Sequence, residues 1–146
     1  MMAWLVKQVN SKHKGFTLIE MVIVVAIIAI LIAIAVPQVL KQINKSKIEA
    51  DKANAKNIAT AIQQWVSEGN VLNDTGNNWV TIKDKDPVST GNGIVDYLGS
   101  GLPKTKLKNG DFYYKYDATN QVLRIGAENS NGTVVELYPS PDPSYK

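Results

Sequence analysis

The sequence predicts an α+β chain, with one long N-terminal α-helix packed on a small antiparallel β-sheet head. Three observations carry this. An aliphatic run from Phe16 to Val36 holds 21 residues and a single charge, Glu20. Beyond it Ala55, Ile58, Ala59, Ile62, Trp65 and Val66 return every three or four residues, the period of a helix with one apolar face. Toward the C-terminus Phe112, Tyr114 and Tyr116 alternate with Tyr113 and Lys115, and Asn131-Gly132 marks a hairpin turn.

The apolar run comes first. At about 1.5 Å rise per residue it is roughly 32 Å long, enough to cross a bilayer core. Ala, Ile, Leu and Val all round the helix suit lipid or a buried bundle. A lone carboxylate at the centre of a membrane helix costs on the order of 2.5–3.5 kcal/mol, so Glu20 either reaches the interface or meets a partner. Basic residues before an apolar run also fit a secretory signal, and Ala33-Ile34-Ala35 resembles a cleavage site. Against that reading stand the length of the run, Glu20 within it, and Pro37 just past the cut. Lysines flank both ends of the run, so loop charge does not orient it.

Pro37 lacks an amide donor and clashes with the preceding turn, so it should kink or loosen the helix over about Ala33–Val36. An amphipathic stretch follows. Lys41, Lys45, Lys47, Glu49, Asp51, Lys52 and Lys56 supply its polar faces, with Lys47–Asp51 and Glu49–Lys52 at pairing distance. Ile58, Ile62 and Trp65 are its expected packing residues against the head, and Gly69 its left-handed stop. From Phe16 to Glu68 the helix would measure about 80 Å if straight.

Residues 70–78 read as a loop, Trp79–Ile82 as a short extended segment, 83–93 as a surface excursion and Ile94–Leu98 as a helical turn. Three strands, 112–116, 122–127 and 133–138, form the expected meander; the tail PSPDPSYK should be irregular.

Composition narrows function. The formal charge is +3, but without Lys7, Lys12 and Lys14 the chain carries 13 basic and 13 acidic residues, so no basic face points to nucleic acid. There is no cysteine, and the one histidine, His13, precedes the apolar run. Neither thiolate chemistry nor a Ser-His-Asp triad can form in the remainder. No catalytic residue, metal or cofactor is expected. Asp84 and Asp86 loosely suggest calcium ligands, yet the EF-hand pattern is absent and a solvated loop explains them. Asn73-Asp74-Thr75 and Asn131-Gly132-Thr133 are sequons that read equally as loop residues.

One stretch is more specific. Lys14-Gly15-Phe16-Thr17-Leu18-Ile19-Glu20, with the aliphatic run ending at Pro37, resembles the class III leader and N-terminal helix of type IV pilins and pseudopilins. The likeness is close over about residues 14–41 and architectural beyond. It implies a leader over 1–15, a transmembrane and filament-core helix over 16–37, an amphipathic helix over 38–69 and a head over 70–146. It implies peptidase cleavage between Gly15 and Phe16, N-methylation of Phe16, and subunit docking through Phe16 and Glu20. Pro37 would mark a segment able to melt in the filament.

The implied partners are further copies of the chain in a helical filament, a prepilin peptidase, an assembly ATPase, an inner-membrane platform and, for the precursor, the membrane itself. The precursor would sit in the cell membrane with its head outside and then enter an extracellular pilus, serving adhesion, motility, biofilm or DNA uptake. A pseudopilin of a type II secretion or competence system is the nearest alternative, and a membrane-tethered binding module that never polymerises is a second. Two features depart from the family pattern. The leader is long and opens with MMAWLV, and the C-terminal cysteine pair of many pilins is missing, so strand pairing and packing must hold the chain's end.

Overall fold

The computed structural model describes residues 15–83 and 93–146. Residues 1–14, with His13 and Lys14 of the expected leader, and residues 84–92, with Asp84 and Asp86, lie outside the described residues.

Helix α1 spans Leu18–Ser67 and carries Pro37 in its interior, continuing through it although that residue donates no hydrogen bond. It begins two residues later than expected because Thr17 and Glu20 cap it. Contacts divide the chain into two compact units, with the boundary between Leu40 and Lys41.

In the second unit, α1 contributes a buried stripe of Asp51, Ala55, Ile58, Ala59, Ala61, Ile62 and Trp65. Val66, expected on that face, stays substantially exposed, because the stripe turns away from it after Trp65. The helix stops at Gly69, whose φ of +93° reverses the chain at no steric cost. Asn70 Nδ2 donates to the Trp65 carbonyl at 2.9 Å, satisfying one of the last-turn acceptors.

The head has four strands where three were expected: β1 (Val80–Thr81), β2 (Phe112–Asp117), β3 (Val122–Glu128) and β4 (Val134–Tyr138), antiparallel in that order. The extended Trp79–Ile82 segment joins the meander because Val80 and Thr81 pair with Tyr114 and Tyr113. A short 3₁₀ turn, Ile94–Tyr97, buries Ile94. The pairs Phe112–Ala127 and Tyr114–Ile125 contribute to the core, whereas Lys115 and Arg124 oppose each other on the other face. The tyrosine cluster is thus divided by strand alternation.

Between β3 and β4 the register shifts at Ile125/Gly126: Ile125 faces Tyr138 and Gly126 faces Glu136. Leu137 is therefore the extra, bulged residue, and it is buried. Gly126 is required by its surroundings. A Cβ there would lie 2.7 Å from the Val135 carbonyl oxygen and 2.9 Å from the Trp79 ring. Trp65, Phe112, Ile58, Ile62, Ile82, Ile94, Ile125 and Leu137 form the centre of the core, each worth roughly 1.5–3 kcal/mol on burial.

Asp51 overturns one reading. Expected on the solvent side with Lys47, it is 0% exposed. Its carboxylate accepts the backbone N–H of Lys106 at 2.6 Å, that of Leu107 at 3.0 Å and the Tyr145 hydroxyl at 2.7 Å. The Glu49–Lys52 pair forms as expected, at 2.9 Å on the surface. The tail has neither helix nor strand, yet it closes the core, with Tyr145 buried and Lys146 accepting from Ser130 N at 3.1 Å.

Candidate functional site

The first unit is organised around the start of α1. Thr17 N donates to Glu20 Oε2 at 2.8 Å and Thr17 Oγ1 to the same oxygen at 2.9 Å, while Glu20 N donates back to Thr17 Oγ1 at 3.3 Å. This is a reciprocal capping box, and it satisfies two of the helix's orphan donors. The sequence signal is legible, since Thr three residues before Glu at the start of an apolar run is the motif itself. Glu20 Oε1 accepts from none of the described residues.

Phe16 is 80% exposed and directly precedes the cap. A Cβ placed on Gly15 would meet no heavy atom of the described residues within 4 Å, so their packing does not demand glycine there. Downstream, from Leu18 through Ile34 and Val36, every large aliphatic residue is exposed. This stretch of α1, none of it buried, is long and apolar enough to cross a membrane. Pro37 lies at the end of this stretch.

Ile58, Ile62 and Trp65 sit in the head core, at 0%, 0% and 1% exposure. Trp65 is enclosed and offers no stacking platform. Among the described residues, no group of three or more His, Cys, Asp or Glu side chains gathers where a metal could be held. Sequence reasoning missed Asp51 and Tyr145, which tie helix, loop and C-terminus together.

Residues 10–36 match the family model for the prokaryotic N-terminal methylation motif. The chain is 31% identical over 129 residues to a type IV major fimbrial protein, FimA, of Dichelobacter nodosus, covering 86% of this chain and 78% of that one. The chain belongs to the type IV pilin family. Another pilin, the type IV major pilin protein PilA of Myxococcus xanthus, is 44% identical over 72 residues, covering 49% of this chain but 33% of its own length. The type II secretion system core protein G of Pseudomonas aeruginosa is 41% identical over 56 residues, 38% of this pilin chain and 39% of that protein. No solved structure matches the chain at a significant level.

Within the family frame, the methylation-motif match covers Gly15, Phe16, Thr17 and Glu20 together. The long α1 and the four-stranded antiparallel sheet give the pilin-like α+β architecture.

Proposed function

We propose that this chain is the structural subunit of a type IV pilus-like filament, cut after Gly15, methylated on Phe16 and polymerised through its N-terminal helix. The observation that carries this is an apolar helix wide open on all sides and headed by one capped carboxylate. The described residues cover none of that surface, so lipid would cover it in the precursor and other copies in the filament.

Cleavage would create an α-amine with an ordinary pKa of about 7.7–8.0, cationic at neutral pH. Such an amine on an incoming subunit pairs with Glu20 of a subunit already in place. The open Oε1 is the oxygen it would meet, since Thr17 occupies Oε2. In low dielectric a matched pair is tolerated and an unmatched charge is strongly unfavourable, so the pair selects one axial register. Gly15, which the packing of the described residues does not need, serves close approach by a prepilin peptidase. Pro37 marks the segment that unwinds under load. An assembly ATPase and an inner-membrane platform drive insertion, with the head outside the membrane. The mechanism is polymerisation rather than catalysis.

The likeness to core protein G favours a second reading, a pseudopilin of a secretion system. Intact-mass and N-terminal peptide spectrometry on protein sheared from the cell surface tests processing and placement together. The expected product begins at methylated Phe16 in the sheared fraction. The same product found only in the cell envelope would support the pseudopilin. A chain starting at Met1 or Val36 would refute the processing claim.

A further inference from the structure

The head carries a groove of about 350 Å³ between the C-terminal half of α1 and the loop after the 3₁₀ turn. One wall is Asn54, Asn57, Thr60 and Gln64; the other includes Tyr97 and Pro103. None of its lining residues is charged. The stretch of α1 behind it is unusual in the same way, because no charged residue occurs between Lys56 and Glu68. Solvent-facing helix positions ordinarily favour Lys or Glu, and Asn is a poorer helix former than either. The side chains of Asn54, Asn57 and Gln64 make no hydrogen bond to any described residue. The opposite wall is held in place, since the Tyr97 hydroxyl donates to the Glu68 carboxylate.

We propose that this groove binds a neutral oligosaccharide. Each free amide offers two donors and an acceptor, which matches the mixed donor and acceptor character of sugar hydroxyls. The Tyr97 ring and Pro103 offer an apolar wall for the less polar face of a sugar ring. A volume near the lower end of ligand sites suits one or two sugar units.

Two other occupants fit less well. Nucleic acid needs cations to neutralise phosphate, and the groove lining has none. A second copy of the chain would be anchored by exposed large apolar residues, and those of the head, such as Val66, Val71 and Val80, do not line it.

The test is saturation-transfer NMR on the full chain, monomeric in phosphocholine micelles, with cellobiose, maltose and di-N-acetylchitobiose as neutral probes and digalacturonate as the charged control. It is independent of the filament reading, because no assembly is needed. At least one neutral disaccharide should receive transfer and shift the Tyr97 ring signals, with affinity insensitive to salt. The double variant Asn57→Ala/Gln64→Ala should bind it at least about tenfold more weakly. Should that variant fail to fold, the nearly isosteric Asn57→Asp should also weaken binding. No transfer to any neutral probe, binding of digalacturonate alone, or undiminished binding by the folded variants would each overturn the proposal. Loss of filament assembly in the double variant, with no sugar bound by the parent, would also overturn it and reassign the groove to a neighbouring copy.

Discussion

The two halves of α1 obey the same backbone rules and solve opposite burial problems. Up to Leu40 the helix is apolar all round, and its large aliphatic side chains stand in the open. From Lys41 onward it is amphipathic, and the same chain supplies a sheet that covers its apolar face. A one-sided stripe can be satisfied within one chain; an all-round apolar cylinder can be satisfied only by lipid or by other helices. The first half therefore owes its environment to assembly and the second half to folding. Substitutions in one should leave the other's readout unmoved.

The largest effect tests that separation directly. Glu20→Ala should abolish or severely reduce surface filaments, counted by electron microscopy, while leaving the head's thermal transition in micelles unshifted. Filaments at parental numbers would remove Glu20 from docking. Asp51→Ala should do the reverse. It strips the acceptor from two backbone N–H groups and a buried hydroxyl, at a cost of about 3–5 kcal/mol in denaturant unfolding. A loss under about 1 kcal/mol would mean water replaces the carboxylate.

What the sequence made legible follows the same division. The uniform apolar run and the Gly-Phe-Thr-Leu-Ile-Glu stretch are local patterns, and both the helix and its capped carboxylate could be read from them. The core stripe of Ile58, Ile62 and Trp65 is also periodic, and the late strands alternate. Asp51 was misread because its environment is set by residues far away in the chain: its partners lie 55, 56 and 94 positions further along. A surface-facing helical period cannot reveal that a loop and the chain's end will fold over one polar position. β1 was legible as an extended segment, but two paired residues give too short a pattern to announce a fourth strand. The tail's three prolines correctly signalled irregular backbone and concealed Tyr145, whose burial has no periodic signature.

Gly126→Ala sharpens the head side of the comparison at intermediate size. The added methyl meets a carbonyl oxygen, which cannot yield as a flexible side chain can, and it also displaces Trp79. The expected cost is about 1–3 kcal/mol, with the Trp79 fluorescence environment altered as the ring moves. Filament numbers should stay at the parental level. An unchanged unfolding midpoint would show that the β3–β4 bulge absorbs the methyl.

The smallest effect carries the most specific signature. Tyr145→Phe keeps the ring in the core and removes only the hydroxyl that donates to Asp51, for a loss of about 1.5–2 kcal/mol at neutral pH. Burial, then the hydrogen bond to Asp51 and its charge, push the Tyr145 phenol well above the usual tyrosine range. The native state therefore holds it protonated, while the unfolded chain releases its proton near pH 10. Its stabilisation is complete below that pH and declines as pH rises past it, by up to about 1.4 kcal/mol per unit. The tyrosines at 97 and 113, raised by Glu68 and Glu128, are common to both chains and cancel in the difference. Unfolding curves of parent and variant should thus run parallel from pH 7 to about 9.5 and converge above about 10. A constant gap through pH 11 would mean that Tyr145 ionises without leaving its place beside Asp51, and that packing alone ties the chain's end to the helix.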